Sequence, residues 1–255
     1  MSPLPRGFLK APIAHRAYHD IRAGRVENSV SAIRAAIDAG YGIEIDLQLS
    51  KDGQAMVFHD YDLGRLTGEN GPIRGRTAKE LAQIALAGGA DTIRTFPEML
   101  DLIGGRVPLL VELKDQDGAM GANVGLLERA TAQALTGYTG KVAVMSFNPH
   151  SMLQMQILAP DVPRGLTTSA YTPADWQLLP ARTRDRLREI PDYDSVGACF
   201  ISHEAADLPR PRVVDLKNRG AHVLCWTIRS AQAEAEARKI AENVTFEGYA
   251  AAIPA

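Results

Sequence analysis

The feature that most constrains this chain is a short apolar segment with two acidic residues at alternate positions. Gly42 to Leu49 reads GIEIDLQL, in which one isoleucine separates Glu44 from Asp46. Because successive side chains of a β-strand point to opposite faces, this spacing places both carboxylates on one face. Neighbouring carboxylates repel each other and are costly to remove from water, and a cation between them relieves both costs. The segment predicts a cation-binding strand, and the alternative is a surface strand whose charges face water.

The segment that follows turns back beside this strand. The pair Asp52-Gly53 is typical of a hairpin turn, and the residues from Ala55 to Phe58 are apolar. We therefore predict a hairpin whose second arm ends at His59-Asp60. Such a hairpin offers two carboxylates and an imidazole to one region.

Length and composition predict a single domain. The chain has 255 residues and is 45% hydrophobic, which suffices for one sizeable core over 1–255. Its formal net charge of -2 gives no overall attraction to nucleic acid or to an anionic membrane. Cys199 and Cys225 form no CxxC pair and lie in apolar runs, which favours buried free thiols. We recognise no signal peptide or membrane span, so we expect a cytoplasmic protein without stable membrane insertion; its oligomeric state stays open.

Apolar strands alternate with helices along the chain. The predicted strands are 11–15, 42–49, 108–114, 141–147, 163–168, 198–203, 221–227 and 243–247. The predicted helices are 29–39, 97–103, 123–135, 149–158, 173–189, 211–219 and 231–241. Eight such units favour an α/β fold, a (β/α)8 TIM barrel, over a doubly wound open sheet. The polar segment from about 61 to 96 is predicted as a small insertion after the hairpin of the second strand, with one helical turn at 77–86.

Further polar residues fall at the carboxyl ends of the first and third predicted strands, the end at which barrel active sites are built. His15 and Arg16 follow the first strand, and Glu112 and Lys114 share one face of the third. With the two carboxylates of the second strand, Glu112 completes an all-oxygen set, which Mg²⁺ or Ca²⁺ prefers and zinc does not.

These residue types fit chemistry at phosphorus. Arginine and lysine bind anionic phosphate oxygens, and two histidines supply a general base and a general acid. Together with a metal ion, they suit cleavage of a phosphodiester without a covalent enzyme intermediate. An alternative is that His15 and His59 themselves complete the metal site.

A series of short motifs runs along the chain in a fixed order. In the first half these are His15-Arg16, Glu27-Asn28, Ile43-Glu44-x-Asp46, Asp52-Gly53, His59-Asp60, Leu63, Arg65-Leu66-Thr67, Thr77, Glu80-Leu81, Phe96-x-Glu98 and Glu112-x-Lys114. The series resembles the ordered motifs of glycerophosphodiester phosphodiesterases. In the second half, Ser146-Phe147 and Trp226-Thr227 resemble strand-end motifs of the same family. A single pair carries little information, whereas the whole series in order is specific.

The resemblance implies a Mg²⁺- or Ca²⁺-dependent barrel enzyme that hydrolyses small-molecule glycerophosphodiesters to sn-glycerol 3-phosphate and an alcohol. The residues it implies are the catalytic histidines His15 and His59, the metal ligands Glu44, Asp46 and Glu112, and the phosphate contacts Arg16 and Lys114. Trp226, at a strand end, is expected to pack against the glycerol or alcohol group. The insertion would shape the glycerol side of the pocket. Either water or the glycerol 2-hydroxyl attacks phosphorus, and the sequence does not separate these routes.

Four positions depart from the family pattern. Ala17 and Val26 stand where glycine and proline are common, and we expect them to change only the shape of a loop. Arg229 stands where asparagine is frequent, and Glu247 stands near the end of the last strand, where aspartate is common. We hypothesise that Arg229 contacts a second anionic group in the leaving alcohol.

The remaining histidines are assigned from their positions. His19 lies in a polar loop and is predicted to be a solvated surface residue rather than a ligand. His150 and His222 are predicted to be structural, and His203 stays open between the pocket mouth and the core.

Two other functions stay open. One is a phospholipase D-like hydrolase of lysophospholipids or sphingomyelin, which needs an apolar mouth for acyl chains. The insertion is polar, although Tyr171, Trp176, Leu178 and Leu179 offer some apolar surface. The other is a catalytically silent binding barrel, which would be expected to lack a histidine or a carboxylate of the set, and none is missing.

Overall fold

Eight parallel strands form a closed barrel in the computed structural model, which describes residues 2–254. The strands are β1 (Ile13–Ala14), β2 (Gly42–Leu49), β3 (Ala55–Val57), β4 (Arg94–Thr95), β5 (Leu109–Leu113), β6 (Val142–Ser146), β7 (Arg164–Thr168), β8 (Phe200–Glu204), β9 (His222–Ile228) and β10 (Asn243–Phe246). All except β3 and β4 belong to the barrel, and β1 pairs in parallel with both β2 and β10, which closes it. The predicted TIM barrel is confirmed.

Helices connect the strands and cover the outside of the barrel. They are α1 (Val30–Ala39), α2 (Ala78–Leu81), α3 (Phe96–Ile103), α4 (Leu126–Leu135), α5 (Pro149–Leu158), α6 (Ala181–Arg188), α7 (Pro211–Asn218) and α8 (Ala231–Ala237). Within the described range 2–254, no helix is long and apolar enough to cross a membrane.

Two predicted helices begin too early. The helix predicted at 173–189 begins only at Ala181, because Pro180 lies inside the predicted range and a proline ring cannot continue a helix. The residues before it form turns. The helix predicted at 123–135 begins at Leu126, since Gly125 has a φ of 124°, outside the helical region.

The alternation of side chains in β2 separates the core from the site. Ile43, Ile45 and Leu47 belong to the large apolar cluster between the barrel and its helices. The residues between them, Glu44 and Asp46, therefore face the barrel interior. Both faces of the strand are buried, as is usual for a barrel, and the alternative of a charged surface strand is wrong.

Apolar side chains fill the lower part of the barrel interior. Phe8 of the N-terminal segment, Ile13, Leu110, Phe200 and Leu224 belong to one buried cluster, to which several different strands contribute. This packing leaves the carboxyl ends of the strands for polar groups. The two cysteines are also buried and are unpaired in the described part of the chain, as predicted.

The hairpin and the insertion extend the sheet beside the barrel. β3 runs antiparallel to β2, with Leu47 opposite Val57, which confirms the predicted hairpin. β4, which the sequence did not reveal, pairs antiparallel with β3. The insertion packs on the hairpin and on the loop after β1 through a separate apolar cluster, made by Val26, Met56, Phe58, Leu63, Leu66, Ile73, Leu81, Leu86 and Ile93. The assignment of 1–255 to a single domain stays a prediction.

Candidate active site

A pocket opens at the carboxyl ends of the barrel strands. Its lining includes every site residue expected from the sequence, namely His15, Arg16, Glu44, Asp46, His59, Glu112, Lys114 and Trp226. Further lining residues are Met145, Phe147, Thr227, Arg229 and Thr245. The barrel thus collects at one place groups that lie more than two hundred residues apart in the chain.

Three buried carboxylates lie together in this pocket. Asp46 and Glu112 are directly opposed in the parallel pairing of β2 and β5, and Glu44 lies two residues earlier on the same face. One oxygen from each of the three lies within 4.8 Å of the others. Asn28 Nδ2 donates to Asp46 Oδ2 at 2.9 Å, and the backbone N–H of Arg16 donates to Glu44 Oε2 at 2.8 Å.

Neighbouring positive side chains compensate the negative charges of this cluster unequally. Lys114 Nζ lies 2.9 Å from Asp46 Oδ1 and 2.7 Å from Glu112 Oε1. Burial raises the pKa of Asp46, but the positive charges of Lys114, His59 and Arg16 outweigh it, so the pKa is lowered. The pKa of Glu44 is raised well above its ordinary value by burial and by the neighbouring Asp46 and Glu112.

The donor set fits a hard divalent cation. Among the described residues, the Glu44 carboxylate accepts a hydrogen bond from the Arg16 backbone alone and has no side-chain partner. Its pKa is raised first by burial and then by the two neighbouring carboxylates, and a cation bound there would relieve both costs. All donors of the cluster are carboxylate oxygens, the ligands that Mg²⁺ and Ca²⁺ prefer.

The first histidine of the pocket is held by a carboxylate from the last strand. His15 Nδ1 lies 2.5 Å from Oε2 of Glu247, which directly follows β10. Arg229 Nε donates to the other oxygen of Glu247 at 2.8 Å. Burial lowers the pKa of His15, and the hydrogen bond from His15 holds the pKa of Glu247 far below its usual range. With Nδ1 engaged, Nε2 is the ring nitrogen left for a substrate.

The second histidine is held in the same way by its neighbour in sequence. His59 Nδ1 lies 2.6 Å from Asp60 Oδ1, and Arg65 Nε donates to Asp60 Oδ2 at 2.6 Å. Burial raises the pKa of Asp60, but its bonds to His59 and Arg65 outweigh this and lower it. Arg65 also donates to both oxygens of Glu27, at 2.9 Å and 2.7 Å.

Arg16 connects these groups. Its Nη1 donates to Glu27 Oε1 at 2.8 Å, and its Nε lies 3.7 Å from Asp46 Oδ2. Arg16 and Ala17 have φ values of 50° and 65°, in the left-handed region that glycine adopts most readily. Glycine at position 17 would adopt this backbone conformation with less strain than Ala17 does.

Aromatic side chains form one wall of the pocket. The indole N–H of Trp226 donates to the backbone oxygen of Ser202 at 3.0 Å, which fixes the ring. The ring of Phe147 packs edge-on against Trp226 at a centroid distance of 5.6 Å and against Trp176 at 4.9 Å. Phe147 and Trp226 thus offer an apolar surface to part of a substrate.

Three further histidines lie in three different environments. His19, predicted to be a solvated surface residue, is partly buried: its side chain is 25% exposed and its Nε2 lies 3.6 Å from Glu247 Oε2. His203 is buried beside Thr168, with Nδ1 2.8 Å from the hydroxyl, and is not among the residues that line the pocket. His222 begins β9 and pairs with Glu242 at 3.0 Å, at the end of the barrel away from the pocket.

Sequence reasoning did not identify Glu247 as the partner of His15. The residue was noted only as a departure at the end of the last strand, and 232 positions separate the two. The contact also changes the interpretation of Arg229. Its guanidinium is paired with Glu247, so its charge is partly neutralised before any leaving alcohol arrives.

Comparisons with known proteins agree with this geometry. The sequence model of the Glycerophosphoryl diester phosphodiesterase family matches residues 15–246. The chain belongs to this family. Its members are phosphoric diester hydrolases, and the chain is a glycerophosphodiester phosphodiesterase by this membership.

Individual relatives extend the comparison. The chain is 24% identical over 219 residues to YhdW of Bacillus subtilis (strain 168), an alignment that covers 82% of this chain and 84% of YhdW. It is 29% identical over 162 residues to the glycerophosphodiester phosphodiesterase of Caldanaerobacter subterraneus subsp. tengcongensis, covering 60% of this chain and 65% of that enzyme.

Solved structures show the same fold. The phosphodiesterase of Oleispira antarctica, solved in complex with the product sn-glycerol-3-phosphate, superposes with a TM-score of 0.77 at 25% identity, over 95% of this chain and 94% of that one. The glycerophosphodiester phosphodiesterase of Thermotoga maritima superposes with a TM-score of 0.69 over 92% and 94% of the two chains, at 19% identity.

Proposed function

We propose that this phosphodiesterase hydrolyses glycerophosphodiesters to sn-glycerol 3-phosphate and an alcohol, with a divalent cation and two histidines as acid and base. One observation carries the proposal: two histidines, each oriented by a carboxylate, line the same pocket as three buried carboxylates. The product bound to the Oleispira antarctica enzyme supports the choice of a glycerophosphodiester as substrate.

The positive side chains of the pocket would bind the phosphate. Arg16 presents a planar guanidinium whose N–H groups match phosphate oxygens, and its Nε finds no hydrogen-bond partner among the described residues. Lys114 adds an ammonium, and its pKa is raised by Asp46 and Glu112 despite the opposing effect of burial. Both groups therefore carry charge at neutral pH and stabilise a developing phosphorane.

Glu44, Asp46 and Glu112 would hold Mg²⁺ or Ca²⁺. When bound, such an ion neutralises charge on the phosphoryl oxygens and orients the group for in-line displacement. The expected role of Lys114 is to balance the remaining charge of the same carboxylates, since it already contacts two of them.

The two histidines would transfer the protons of the reaction. One accepts the proton of the attacking hydroxyl, from water or from the glycerol 2-hydroxyl, through the ring nitrogen that is free of its carboxylate. The other donates a proton to the oxygen of the departing alcohol, so that it does not leave as an alkoxide. Trp226 would pack against the organic part of the substrate, held in place by its bond to Ser202.

The experiment is to measure release of sn-glycerol 3-phosphate from glycerophosphocholine, glycerophosphoethanolamine and glycerophosphoglycerol. Activity should disappear with EDTA and return with Mg²⁺ or Ca²⁺. His15→Ala should be inactive, whereas His222→Ala, which alters a histidine–carboxylate pair away from the pocket, should be active. Failure of the folded, metal-loaded protein to release glycerol 3-phosphate from all three would refute the proposal.

One observation favours a second candidate, hydrolysis of lysophospholipids. Leu178 is 93% exposed and lies two residues after Trp176, whose ring packs on Phe147 of the pocket lining. An exposed apolar side chain suits contact with an acyl chain. If this candidate holds, Leu178→Ser should lower the rate on lysophosphatidylcholine but not on glycerophosphocholine, and Ile157→Ser, an exposed control on α5, should lower neither. Equal rates of wild type, Leu178→Ser and Ile157→Ser on lysophosphatidylcholine would refute this candidate.

A further inference from the structure

A second set of metal-ligating side chains includes His15 of the pocket. One ligand atom from each of His15, His19 and Glu247 lies within 4.8 Å of the others. The separations from the carboxylate oxygen are 2.5 Å to His15 and 3.6 Å to His19. This set shares no residue with the cluster formed by Glu44, Asp46 and Glu112.

Among the described residues, one nitrogen of this set has no hydrogen-bond partner. His19 Nε2 is shielded from solvent and makes no hydrogen bond, and the distance of 3.6 Å to Glu247 is too long for one. A buried nitrogen without a partner is costly, and proteins usually satisfy such atoms. The nitrogen lies 3.6 Å from the same carboxylate oxygen that contacts His15, so a single ion between the three would satisfy it.

We propose that His15, His19 and Glu247 form a second metal site that takes Zn²⁺ or a similar borderline divalent ion, and that the ion inhibits the enzyme. Two imidazoles and one carboxylate, with a fourth position open, are a ligand set that zinc accepts. Imidazole ligands favour zinc over Mg²⁺ or Ca²⁺, so the two sites of the pocket would select different ions.

Two of the three ligand separations, those to the Glu247 oxygen, are compatible with such an ion after a small movement. Ligand atoms about 2.1 Å from a tetrahedral zinc lie about 3.4 Å apart. The pair of His19 and Glu247 is already near this value at 3.6 Å. The pair of His15 and Glu247 at 2.5 Å must open by about an ångström, which a change in the side-chain torsions of Glu247 provides.

The charges around the set leave it suitable for a cation. Arg229 opposes a bound cation, but it contacts the other oxygen of Glu247 and its side chain is 67% exposed, so water screens its charge. Arg16, the next residue to His15, is paired with Glu27. The carboxylate of Glu247 therefore remains available as an anionic ligand.

Inhibition follows from the atom that the ion would occupy. Zinc at Nδ1 would take the lone pair of that nitrogen. A neutral ring would then carry its single proton at Nε2, whereas an imidazolium would release its Nδ1 proton to solvent and keep the one at Nε2. Zinc also separates His15 from Glu247 and fixes the ring on the ion. The imidazole then no longer exchanges a proton with the substrate in the orientation that Glu247 maintains. This effect rests on the proposed catalytic role of His15, whereas the ion-binding site does not.

The test is a titration of the Mg²⁺-saturated protein with Zn²⁺, followed by isothermal calorimetry and by release of glycerol 3-phosphate. The decisive variant is His19→Ala, which removes a ligand without touching the proposed reaction. The matched control is His222→Ala, because the pair of His222 and Glu242 has no third ligand among the described residues. We expect wild type and control to bind one zinc ion that excess Mg²⁺ does not displace, with loss of turnover.

In His19→Ala, zinc affinity should fall at least about tenfold, the scale on which even outer partners of a metal site act. Its turnover without zinc should match that of wild type, and higher zinc should be needed to inhibit it. Equal zinc affinity in wild type and His19→Ala would overturn the site. Inhibition that excess Mg²⁺ relieves equally in both would also overturn it, since zinc would then act at the carboxylate cluster. Calorimetry measures zinc binding even if the protein hydrolyses no phosphodiester. The proposed zinc site and the proposed function can therefore be refuted independently.

Discussion

The two histidines of the pocket are held by the same arrangement built in two different ways. In each, the ring Nδ1 contacts a carboxylate whose other oxygen accepts from an arginine: His15 with Glu247 and Arg229, and His59 with Asp60 and Arg65. The first carboxylate is 232 residues from its histidine, and the second is adjacent.

The two arrangements also differ in how firmly the arginine is fixed. Arg65 comes from the insertion and is bound by Glu27 as well as by Asp60, and Glu27 in turn binds Arg16. Among the described residues, Arg229 contacts Glu247 alone and its side chain is 67% exposed. The His59 side is therefore supported by a network of ion pairs, and the His15 side mainly by burial.

The largest effect should come from removing either histidine. His15→Ala and His59→Ala should each lower kcat by about 10²- to 10⁴-fold, the range that a general acid or base contributes. Circular dichroism should show that both variants fold, because neither ring belongs to the apolar core. A variant that keeps more than half of the wild-type kcat would remove that histidine from the mechanism.

Removal of the carboxylates should have the next largest effect. Glu247→Gln and Asp60→Asn keep the shape of each side chain but lose the charge, and kcat should fall by about 10- to 100-fold with little change in KM. Glu247 raises the pKa of His15, so in Glu247→Gln the pKa falls further and the limb of the pH–rate profile that His15 governs should move to lower pH. Movement of that limb to higher pH would contradict the assignment.

The arginines should distinguish the two sides. Arg65→Ala frees both Asp60 and Glu27, and we expect kcat to fall by about fivefold, which corresponds to about 1 kcal/mol. Arg229→Ala breaks one exposed pair and should change kcat by less than about threefold. The steady-state rates of the two variants on glycerophosphocholine provide the measurement. A larger loss in Arg229→Ala would reverse the proposed order of support.

The smallest effect concerns the backbone beside His15. Ala17 has a φ of 65°, which costs a non-glycine residue about 1 kcal/mol, whereas the backbone at His59 and Asp60 is not in this region. Ala17→Gly should therefore leave the free energy of unfolding unchanged or raise it by up to about 1 kcal/mol, because the added freedom of the unfolded chain offsets part of the relief. The control Ala14→Gly, in the buried strand β1, should lower it by about 0.5–1 kcal/mol. Similar losses of unfolding free energy in Ala17→Gly and Ala14→Gly, measured by thermal unfolding, would contradict this account.

Some contacts of this site can be predicted from the sequence and others cannot. Strand periodicity predicted that Glu44 and Asp46 share a face, and the hairpin prediction placed Asp60 directly after His59, because both are local relations. The bond of His15 to Glu247 depends on closure of the barrel between β1 and β10, which no local pattern encodes. The early start predicted for α6 failed because Pro180 cannot continue a helix, although Trp176 and Leu179 before it pack in an apolar cluster with Leu187 of the helix.

The most direct test of the central claim compares two substrates that differ in the leaving group. Glycerophosphocholine needs a proton on its departing alcohol, whereas the glycerol phosphodiester of p-nitrophenol releases a stable anion and needs none. If one of His15 and His59 is the acid and the other the base, the p-nitrophenyl substrate should restore most of the rate of one alanine variant and leave the other impaired. Equal restoration of both variants, or of neither, would contradict the assignment of separate acid and base roles to the two histidines.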